Sequence, residues 1–159
     1  MEKIKSLHEL KEIIGGLKKE GHRIVFTNGC FDLLHVGHVR CLKKAKEFGD
    51  ILVVALNSDL SVKGLKGQGR PLLPEEERAE ILAALECVDY VVIFEEPDPV
   101  RVISTLLPDV LIKGDEYSLS EIKGREIVEA GGGEVVRIPL IKGRSTSGLI
   151  QLVKKLPEE

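Results

Sequence analysis

The segment from Thr27 to His38 constrains the fold of this chain more than any other. Residues 23–26 before it form a short, largely apolar run that predicts a buried strand, and helical spacing follows from Val39 to Phe48. A strand, a polar turn that contains glycine, and a helix in this order are typical of phosphate sites in α/β sheets. The first N–H groups of a helix that begins near Val36 lack partners within the helix, and its dipole adds positive potential there. The segment therefore predicts the floor of a nucleotide site.

Two histidines stand at the predicted start of this helix. His35 and His38 are three residues apart, so they share one face of the first turn. Gly37 lies between them and has no side chain, which lets a bulky ligand approach the backbone. Solvated or helix-capping histidines are the alternative, and the Asp32 carboxylate either touches a ligand or holds the turn together. The candidate ligand-binding residues of this floor are Thr27, Asn28, Gly29, Cys30, Phe31 and Gly37.

A zinc site is an alternative interpretation of the same segment, because Cys30, His35, His38 and Cys41 are all able to bind a soft metal ion. The two cysteines lack the paired CxxC spacing of structural zinc sites. We therefore expect no metal ligands here, and we interpret Cys30, Cys41 and Cys87 as small buried hydrophobic residues.

Polar residues also follow the second predicted strand. Residues 51–56 are apolar throughout, as expected of a parallel strand covered on both faces. Asn57 and Asp59 come directly after it, and the carboxyl ends of parallel strands form the crevice where open α/β sheets bind ligands. The alternative is that Ser58 or Asp59 only caps the next helix.

Two further segments carry groups suited to anions. Residues 63–71 form a basic, glycine-rich loop in which Lys66 supplies a point charge and Arg70 a bidentate fork, a composition that suits a mobile cover over phosphates. A solvated loop is the alternative. Near the C-terminus three hydroxyl residues, 145–147, follow Arg144 and open the last predicted helix. A helix cap needs one hydroxyl, so three predict a second anion site.

Strand and helix patterns alternate along the whole chain, with no repeat or linker that divides it. We therefore expect a single domain, residues 1–159, that folds as a three-layer α/β sandwich around a mostly parallel five-stranded sheet. A capping-box pattern at residues 6–9 predicts a first helix that packs on the sheet edge. A second such pattern at residues 118–121 predicts the start of a helix that stops at Gly131.

Charge and cysteine content limit the partners and the compartment. The net charge of −3 gives no reason to expect nucleic acid or a membrane as a partner. The three cysteines are an odd number at irregular spacing, and no signal-like apolar run opens the chain. We expect a cytoplasmic protein with reduced thiols.

Several motifs in the right order resemble the cytidylyltransferase-like nucleotidyltransferases, which share an H-x-G-H motif and a late S-T-S/T motif that opens the last helix. More narrowly, they resemble the adenylyltransferase domains of bacterial ADP-heptose synthases. The likeness begins at about Lys11 and covers nearly the whole chain. Its motifs are residues 27–50, Asn57-Ser58-Asp59, Leu65-Lys66-Gly67, Arg70-Pro71, Glu86-Cys87-Val88-Asp89, Lys113-Gly114-Asp115-Glu116-Tyr117 and Ser145-Thr146-Ser147.

The resemblance implies a Rossmann-like sheet of strand order 3-2-1-4-5 and transfer of AMP from ATP to a heptose 1-phosphate, with Mg²⁺ on the triphosphate. It implies no fused sugar kinase, so that a separate heptose kinase acts upstream, and a homodimer. The residues it places in catalysis are His35, His38, Lys66, Ser145 and Thr146. To nucleotide binding it adds Arg70, Arg78, Lys113, Gly114, Asp115, Arg144 and Ser147, beside Asn57, Asp59 and the floor residues.

One position departs from the family pattern. Relatives that make CDP-glycerol carry an arginine where this chain has Leu140, so either Arg144 substitutes or the acceptor pocket differs. Two other functions stay open: a cytidylyltransferase acting on glycerol 3-phosphate or a similar small phosphate, and a module that senses nucleotide without chemistry.

Overall fold

A computed structural model describes residues 2–139 and 145–158. The strands of its sheet are Ile24–Gly29 (β1), Ile51–Asn57 (β2), Tyr90–Phe94 (β3), Val110–Gly114 (β4) and Glu134–Ile138 (β5). They have the order β3-β2-β1-β4-β5, and all four pairings are parallel. The predicted strand order is confirmed, and the sheet is wholly parallel where a mostly parallel one was expected.

Helices cover both faces of the sheet. They are Leu7–Lys19 (α1), Val36–Lys46 (α2), Asp59–Lys66 (α3), Glu75–Ala83 (α4), Val100–Leu106 (α5), Arg125–Ala130 (α6) and Thr146–Lys154 (α7). Side chains alternate between faces along each strand, so Phe26 packs on one side with α1, α5 and α6, while Val25 packs on the other with α2 and α4. This is the three-layer arrangement that the alternating sequence pattern predicts.

The strand order reverses direction at β1, which pairs with β2 on one side and with β4 on the other. Chain segments leaving β1 and β4 therefore diverge at the same edge of the sheet and leave a crevice between them. Thr27 bridges the two strands there, because its Oγ1 donates to the carbonyl oxygen of Ile112 at 3.2 Å.

Three local predictions were wrong in detail. Helix α1 packs on the face of the sheet through Leu10 and Ile14, and the preceding Ile4 forms the edge bridge to Val91. The basic loop begins later than predicted, because α3 extends through Lys66. The capping box at Ser118 closes a single 3-10 turn, Leu119–Glu121.

Helix α6 begins only after Gly124, whose φ of 88° lies in the left-handed region. A Cβ atom there would lie 2.5 Å from Cδ1 of Ile103, so this glycine breaks the helix while allowing close packing on α5. None of the helices in residues 2–139 and 145–158 is long and apolar enough to cross a lipid bilayer.

Candidate active site

The start of α2 is built from its two histidines. His35 is the N-cap residue, and its Nδ1 atom accepts a hydrogen bond from the N–H of Gly37 at 3.0 Å. The Nδ1 atom of His38 accepts one from the N–H of His35 at 3.3 Å. The two rings stack with their centroids 3.9 Å apart. Both histidines therefore cap the helix, which the sequence analysis gave as an alternative. Capping fixes both rings at the crevice.

Burial sets the charge of His38. Desolvation, and secondarily the neighbouring His35, lower the pKa of His38 to about 4. The ring is therefore neutral near pH 7.

The ring of Phe31 packs against the ring of His38. Its ring lies 5.2 Å from the His38 ring, tilted by 55°. Its φ of 45° lies in the left-handed region, which is strained for an aromatic residue. A Cβ atom on Gly29 would lie 3.0 Å from this ring, so Gly29 leaves room for Phe31. The structure thus gives Phe31 and Gly29 positions that support the site, where the sequence predicted ligand contacts.

The described partners of Asp32 lie outside its own turn, at the end of the basic loop and just after it. Its carboxylate is buried and accepts hydrogen bonds from the backbone N–H groups of Leu72 and Leu73, at 2.8 to 3.0 Å. It also accepts one from Nε of Arg70 at 3.2 Å. The end of the basic loop is therefore anchored to the floor of the crevice, and Arg70 is held at its edge.

Arg78 was predicted to turn toward the phosphates, but the structure places its side chain inside the protein. Its side chain is 1% exposed, and its guanidinium donates to the carbonyl oxygens of Leu73, Cys30 and Asn57 at 2.7 to 2.9 Å. It also pairs with Asp59 at 2.7 Å. These contacts join the turn after β1, the end of β2 and the end of the basic loop, which makes Arg78 a structural centre of this edge.

The polar residues after β2 also serve the fold. Asn57 is buried and donates from Nδ2 to Oγ of Ser61 at 2.9 Å. Ser58 caps α3 by accepting from the N–H of Ser61, as the alternative interpretation held. Asp59 faces Arg78, and its backbone N–H donates to Glu75. Asn57 and Asp59 therefore have protein partners where ligand contacts were predicted.

The side chains of Thr27 and Asn28 differ in their hydrogen-bond partners. Thr27 is buried, and its hydroxyl is used by Ile112. The Oδ1 atom of Asn28 is buried yet has no hydrogen-bond partner among the described residues. A buried acceptor without a donor costs free energy, so a donor group on a bound ligand would be favoured there. The sequence marks Asn28 only as part of the floor and does not single out this atom.

The end of β4 presents a desolvated cation. Burial lowers the pKa of Lys113, and its Nζ atom lies 4.9 Å from the centroid of the Tyr117 ring. The Glu116 carboxylate occupies the place that a side chain on Gly114 would need. Asp115 is exposed, and its N–H donates to the Ile138 carbonyl oxygen at 3.0 Å, which ties this loop to β5.

The hydroxyl-rich start of α7 meets the histidine loop. Ser145 caps α7 by accepting from the N–H of Gly148 at 2.9 Å. Oγ1 of Thr146 donates to the carbonyl oxygen of Leu33 at 3.2 Å, two residues before His35. Ser147 is exposed in the first turn. The two helix starts therefore lie side by side at one edge, while Arg144 and Leu140 lie outside the described residues.

Lys66 and the thiols complete the described surroundings. Lys66 is the last residue of α3 and is exposed, and its charge acts on the Cys30 thiol, whose pKa burial raises. Cys30, Cys41 and Cys87 are free thiols of intermediate burial, less buried than predicted. In the part of the chain that the structure describes, no three His, Cys, Asp or Glu side chains are placed to hold a metal ion.

Comparison with known proteins gives a family. The cytidylyltransferase-like family model matches residues 26–154. Two proteins named bifunctional protein HldE are similar to the chain. The one from Geobacter sulfurreducens is 55% identical over 153 residues, which are 96% of this chain and 31% of that protein. The one from Citrifermentans bemidjiense is 57% identical over 151 residues, which are 95% and 31%. The chain thus spans about a third of the length of these relatives.

Two solved structures share the architecture. A lipopolysaccharide core biosynthesis protein from Thermoplasma volcanium superposes with a TM-score of 0.63 at 29% identity, over 77% of this chain and 98% of that one. A pantoate-beta-alanine ligase from Francisella tularensis gives the same TM-score at 18% identity, over 91% and 68%, and so supports the fold alone. The chain therefore belongs to the cytidylyltransferase-like family of nucleotidyltransferases.

Proposed function

We propose that this chain transfers AMP from ATP to a heptose 1-phosphate, giving ADP-heptose and pyrophosphate. The observation that supports it most is the contact between Thr146 and Leu33, which sets the start of α7 beside the start of α2. Two helix N-termini with converging N–H groups and hydroxyls suit a polyphosphate. The resemblance of the motifs to ADP-heptose synthases, and the HldE relatives, favour this acceptor.

The chemistry asks for alignment more than for a nucleophile on the enzyme. An oxygen of the sugar phosphate attacks the α-phosphorus of ATP, a new P–O bond forms, and the bond to the β-phosphate oxygen breaks as pyrophosphate leaves. Negative charge grows on the α- and β-phosphates during this exchange. Groups held at the crevice by the fold reduce that cost without reorganising. Each charge-assisted hydrogen bond contributes about 1.5–3 kcal/mol.

The residues take different parts in this proposal. His35 and His38 contact the phosphates near the bond that breaks, and Ser145, Thr146 and Ser147 hold the tail from α7. Lys66, exposed at the end of α3, contacts the phosphates together with Arg70, which Asp32 holds at the edge of the crevice. Lys113, Gly114 and Asp115 border the nucleoside, beside a groove of about 680 Å³ that Asp115, Leu119, Val135, Val136, Arg137 and Pro139 line. Arg144 is proposed to hold the acceptor phosphate.

Mg²⁺ fits this site as part of the substrate. The described residues offer no group of three His, Cys, Asp or Glu side chains placed to hold a metal ion, and the carboxylates of Asp32 and Asp59 are already paired with arginines. We therefore expect the triphosphate oxygens and water to hold the ion, where it neutralises phosphate charge. Metal analysis of the purified protein tests the alternative, a zinc ion bound at the histidine turn.

The decisive experiment measures pyrophosphate release with ATP, CTP, GTP and UTP, each with heptose 1-phosphate or with glycerol 3-phosphate. The proposal predicts release with ATP and heptose 1-phosphate. Release with CTP and glycerol 3-phosphate would support the cytidylyltransferase alternative. Binding of ATP without release with either acceptor would support a sensing module.

The proposal also names partners. A heptose kinase must supply the anomeric phosphate, so an unphosphorylated anomeric position should give no pyrophosphate until such a kinase is added. We also propose a homodimer, which sedimentation analysis of the purified chain would test. A monomer at all concentrations would contradict that part.

A further inference from the structure

The floor of the crevice carries a second pair of polar side chains, on the face of the sheet opposite to the histidines. In β1, Asn28 is two residues after Phe26 and so points to the face that α1, α5 and α6 cover. In β4, Lys113 is two residues after Leu111, which packs on that same face. Phe26 and Leu111 are register partners, so the two polar residues come at the same level of neighbouring strands. We propose that Asn28 and Lys113 bind hydroxyl groups of the acceptor sugar, an assignment that rests on the proposed function.

Both side chains carry polar groups that the described residues do not satisfy. Oδ1 of Asn28 is buried and accepts no hydrogen bond from any of them. Nζ of Lys113 forms no hydrogen bond or ion pair with a described residue, and it lies 4.9 Å from the centroid of the Tyr117 ring. Burial disfavours this charge and lowers the pKa of Lys113. An acceptor and a cation in such surroundings cost free energy that a bound ligand would recover.

The pair selects the chemistry of its ligand. Oδ1 of Asn28 needs a hydrogen-bond donor, whereas the ammonium of Lys113 needs an acceptor. Ionised phosphate oxygens are acceptors alone, so they would face the lone pairs of Oδ1 unfavourably. A hydroxyl group both donates and accepts, and neighbouring hydroxyls of a sugar meet both needs at once. The pair therefore fits a sugar better than the phosphate tail.

The direction of the reaction favours the acceptor sugar over the sugar and base of the nucleotide. Helix α2 packs on the other face of the sheet, and the start of α7 joins it through Thr146. In the proposed function the pyrophosphate leaves between these two helix starts. The attacking and leaving oxygens lie roughly in line at the α-phosphorus. The acceptor therefore approaches from the opposite side, where Asn28 and Lys113 lie.

Two near-isosteric variants remove these groups. Asn28→Leu removes the acceptor, and Lys113→Met removes the ammonium but keeps a long side chain. We expect each to raise the KM for heptose 1-phosphate about tenfold or more, and the KM for ATP by less than about twofold. Lys11→Met, at an exposed position of α1, is the control and should leave both constants unchanged. A KM for ATP that rises as much as that for heptose 1-phosphate would overturn the assignment.

Monodeoxy analogues of heptose 1-phosphate test the contact itself. For the wild type, removal of the hydroxyl that binds Asn28 should lower kcat/KM about tenfold, because the buried acceptor then stays unpaired. In Asn28→Leu this analogue and the complete sugar should react equally well, since the two changes remove the same interaction. Equal discrimination by the wild type and the variant against every analogue would overturn the contact.

Urea unfolding separates ligand binding from a structural role. Because no described residue satisfies either group, Asn28→Leu and Lys113→Met should unfold at the same urea concentration as the wild type or at a higher one. A lower midpoint together with an unchanged KM for heptose 1-phosphate would overturn the proposal. If Asn28→Leu does not fold, Lys113→Met assayed with the same analogues decides.

Calorimetric titration with heptose 1-phosphate distinguishes a failure of this inference from a failure of the proposed function, because it needs no turnover. If no nucleotide and acceptor release pyrophosphate, the proposed function fails. Binding that is about tenfold weaker in both variants would still support this inference, whereas equal or absent binding would overturn it. If pyrophosphate is released and both variants keep the wild-type KM for heptose 1-phosphate, this inference alone fails.

Discussion

Asp32 and Arg70 are 38 residues apart in the chain, yet the Asp32 carboxylate accepts a hydrogen bond from Nε of Arg70 at 3.2 Å. The same carboxylate also binds the N–H groups of Leu72 and Leu73. The basic loop is therefore fixed at its C-terminal end, while Lys66 at its start lies exposed on the last turn of α3.

Substitution of Asp32 by Asn should weaken both the fold and nucleotide binding. The part-buried hydrogen bonds from the N–H groups of Leu72 and Leu73 lose part of their acceptor, so we expect the free energy of unfolding to fall by about 1–3 kcal/mol. The KM for the nucleotide should rise, because Arg70 is no longer held at the crevice. Urea unfolding and initial rates measure the two effects.

Asp98→Asn is the control for this prediction. Asp98 also accepts a backbone N–H, that of Val100, at the start of α5. It should lower stability without changing the KM. An unchanged KM in Asp32→Asn would contradict the proposed role of the anchor.

Replacement of Arg78 by Met should destabilise the protein strongly. The carbonyl oxygens of Cys30, Asn57 and Leu73 would each lose a buried donor, and Asp59 would lose its charged partner. We expect the free energy of unfolding to fall by about 3–5 kcal/mol, as when one partner of a buried pair is removed.

The exposed Arg101, whose side chain is 71% accessible and pairs with Glu96, gives the matched control. Arg101→Met should change stability by less than about 1 kcal/mol. Equal effects of the two substitutions, measured by urea unfolding, would show that Arg78 is not the structural centre described above.

Removal of the Lys66 charge should affect turnover and leave the fold intact. Lys66→Ala removes an exposed ammonium that forms no hydrogen bond or ion pair within the described residues, so the unfolding midpoint should stay unchanged. Loss of one charge-assisted contact in the transition state predicts a fall in kcat of about 10- to 100-fold. Lys63→Ala, three residues earlier on the same helix, should retain nearly full turnover. Similar losses in both variants would indicate a general charge effect.

The low pKa of His38 makes stability depend on pH. An unfolded histidine binds a proton near pH 6.5, whereas folded His38 does so only at about 4. The unfolded state therefore binds more protons between these values, and the free energy of unfolding falls as the pH falls through that window. His38→Asn lacks this effect.

The stability difference between wild type and His38→Asn should shrink by on the order of 1 kcal/mol from about pH 7 to about pH 4.5, less than full linkage because the ring is partly exposed. Urea titrations at several pH values measure it. A constant difference would show that His38 titrates normally in the folded state.

Much of this architecture was predictable from the sequence, because its signals are local. The apolar run at residues 51–56 and the capping box at Ser6 each depend on neighbours a few residues away, and both appear as predicted. The strand order followed from the resemblance of several motifs, since no local pattern specifies which strands pair.

The parts that sequence reasoning missed depend on distant contacts. Arg78 was predicted from the resemblance to face the phosphates, yet its donors are used by protein groups, among them the carbonyl oxygen of Cys30, 48 residues away. The strained backbone of Phe31 has no sequence signature, because aromatic residues rarely adopt that conformation. The extent of α3 was hidden by Gly64, which is typical of loops but is tolerated inside this short helix.

The H-x-G-H histidines cap a helix and are proposed to act in catalysis, and this combination of roles has an evolutionary consequence. The rings that we propose to contact phosphate also cap the first turn of α2, which packs on the sheet through Leu42 and Ala45. A descendant without catalytic activity would therefore still be selected to keep them for folding. Lys66, an exposed residue without such a duty, would be free to drift. Among related sequences, loss of this lysine beside an intact histidine pair would therefore identify lineages that have turned from transferring nucleotides to merely holding them.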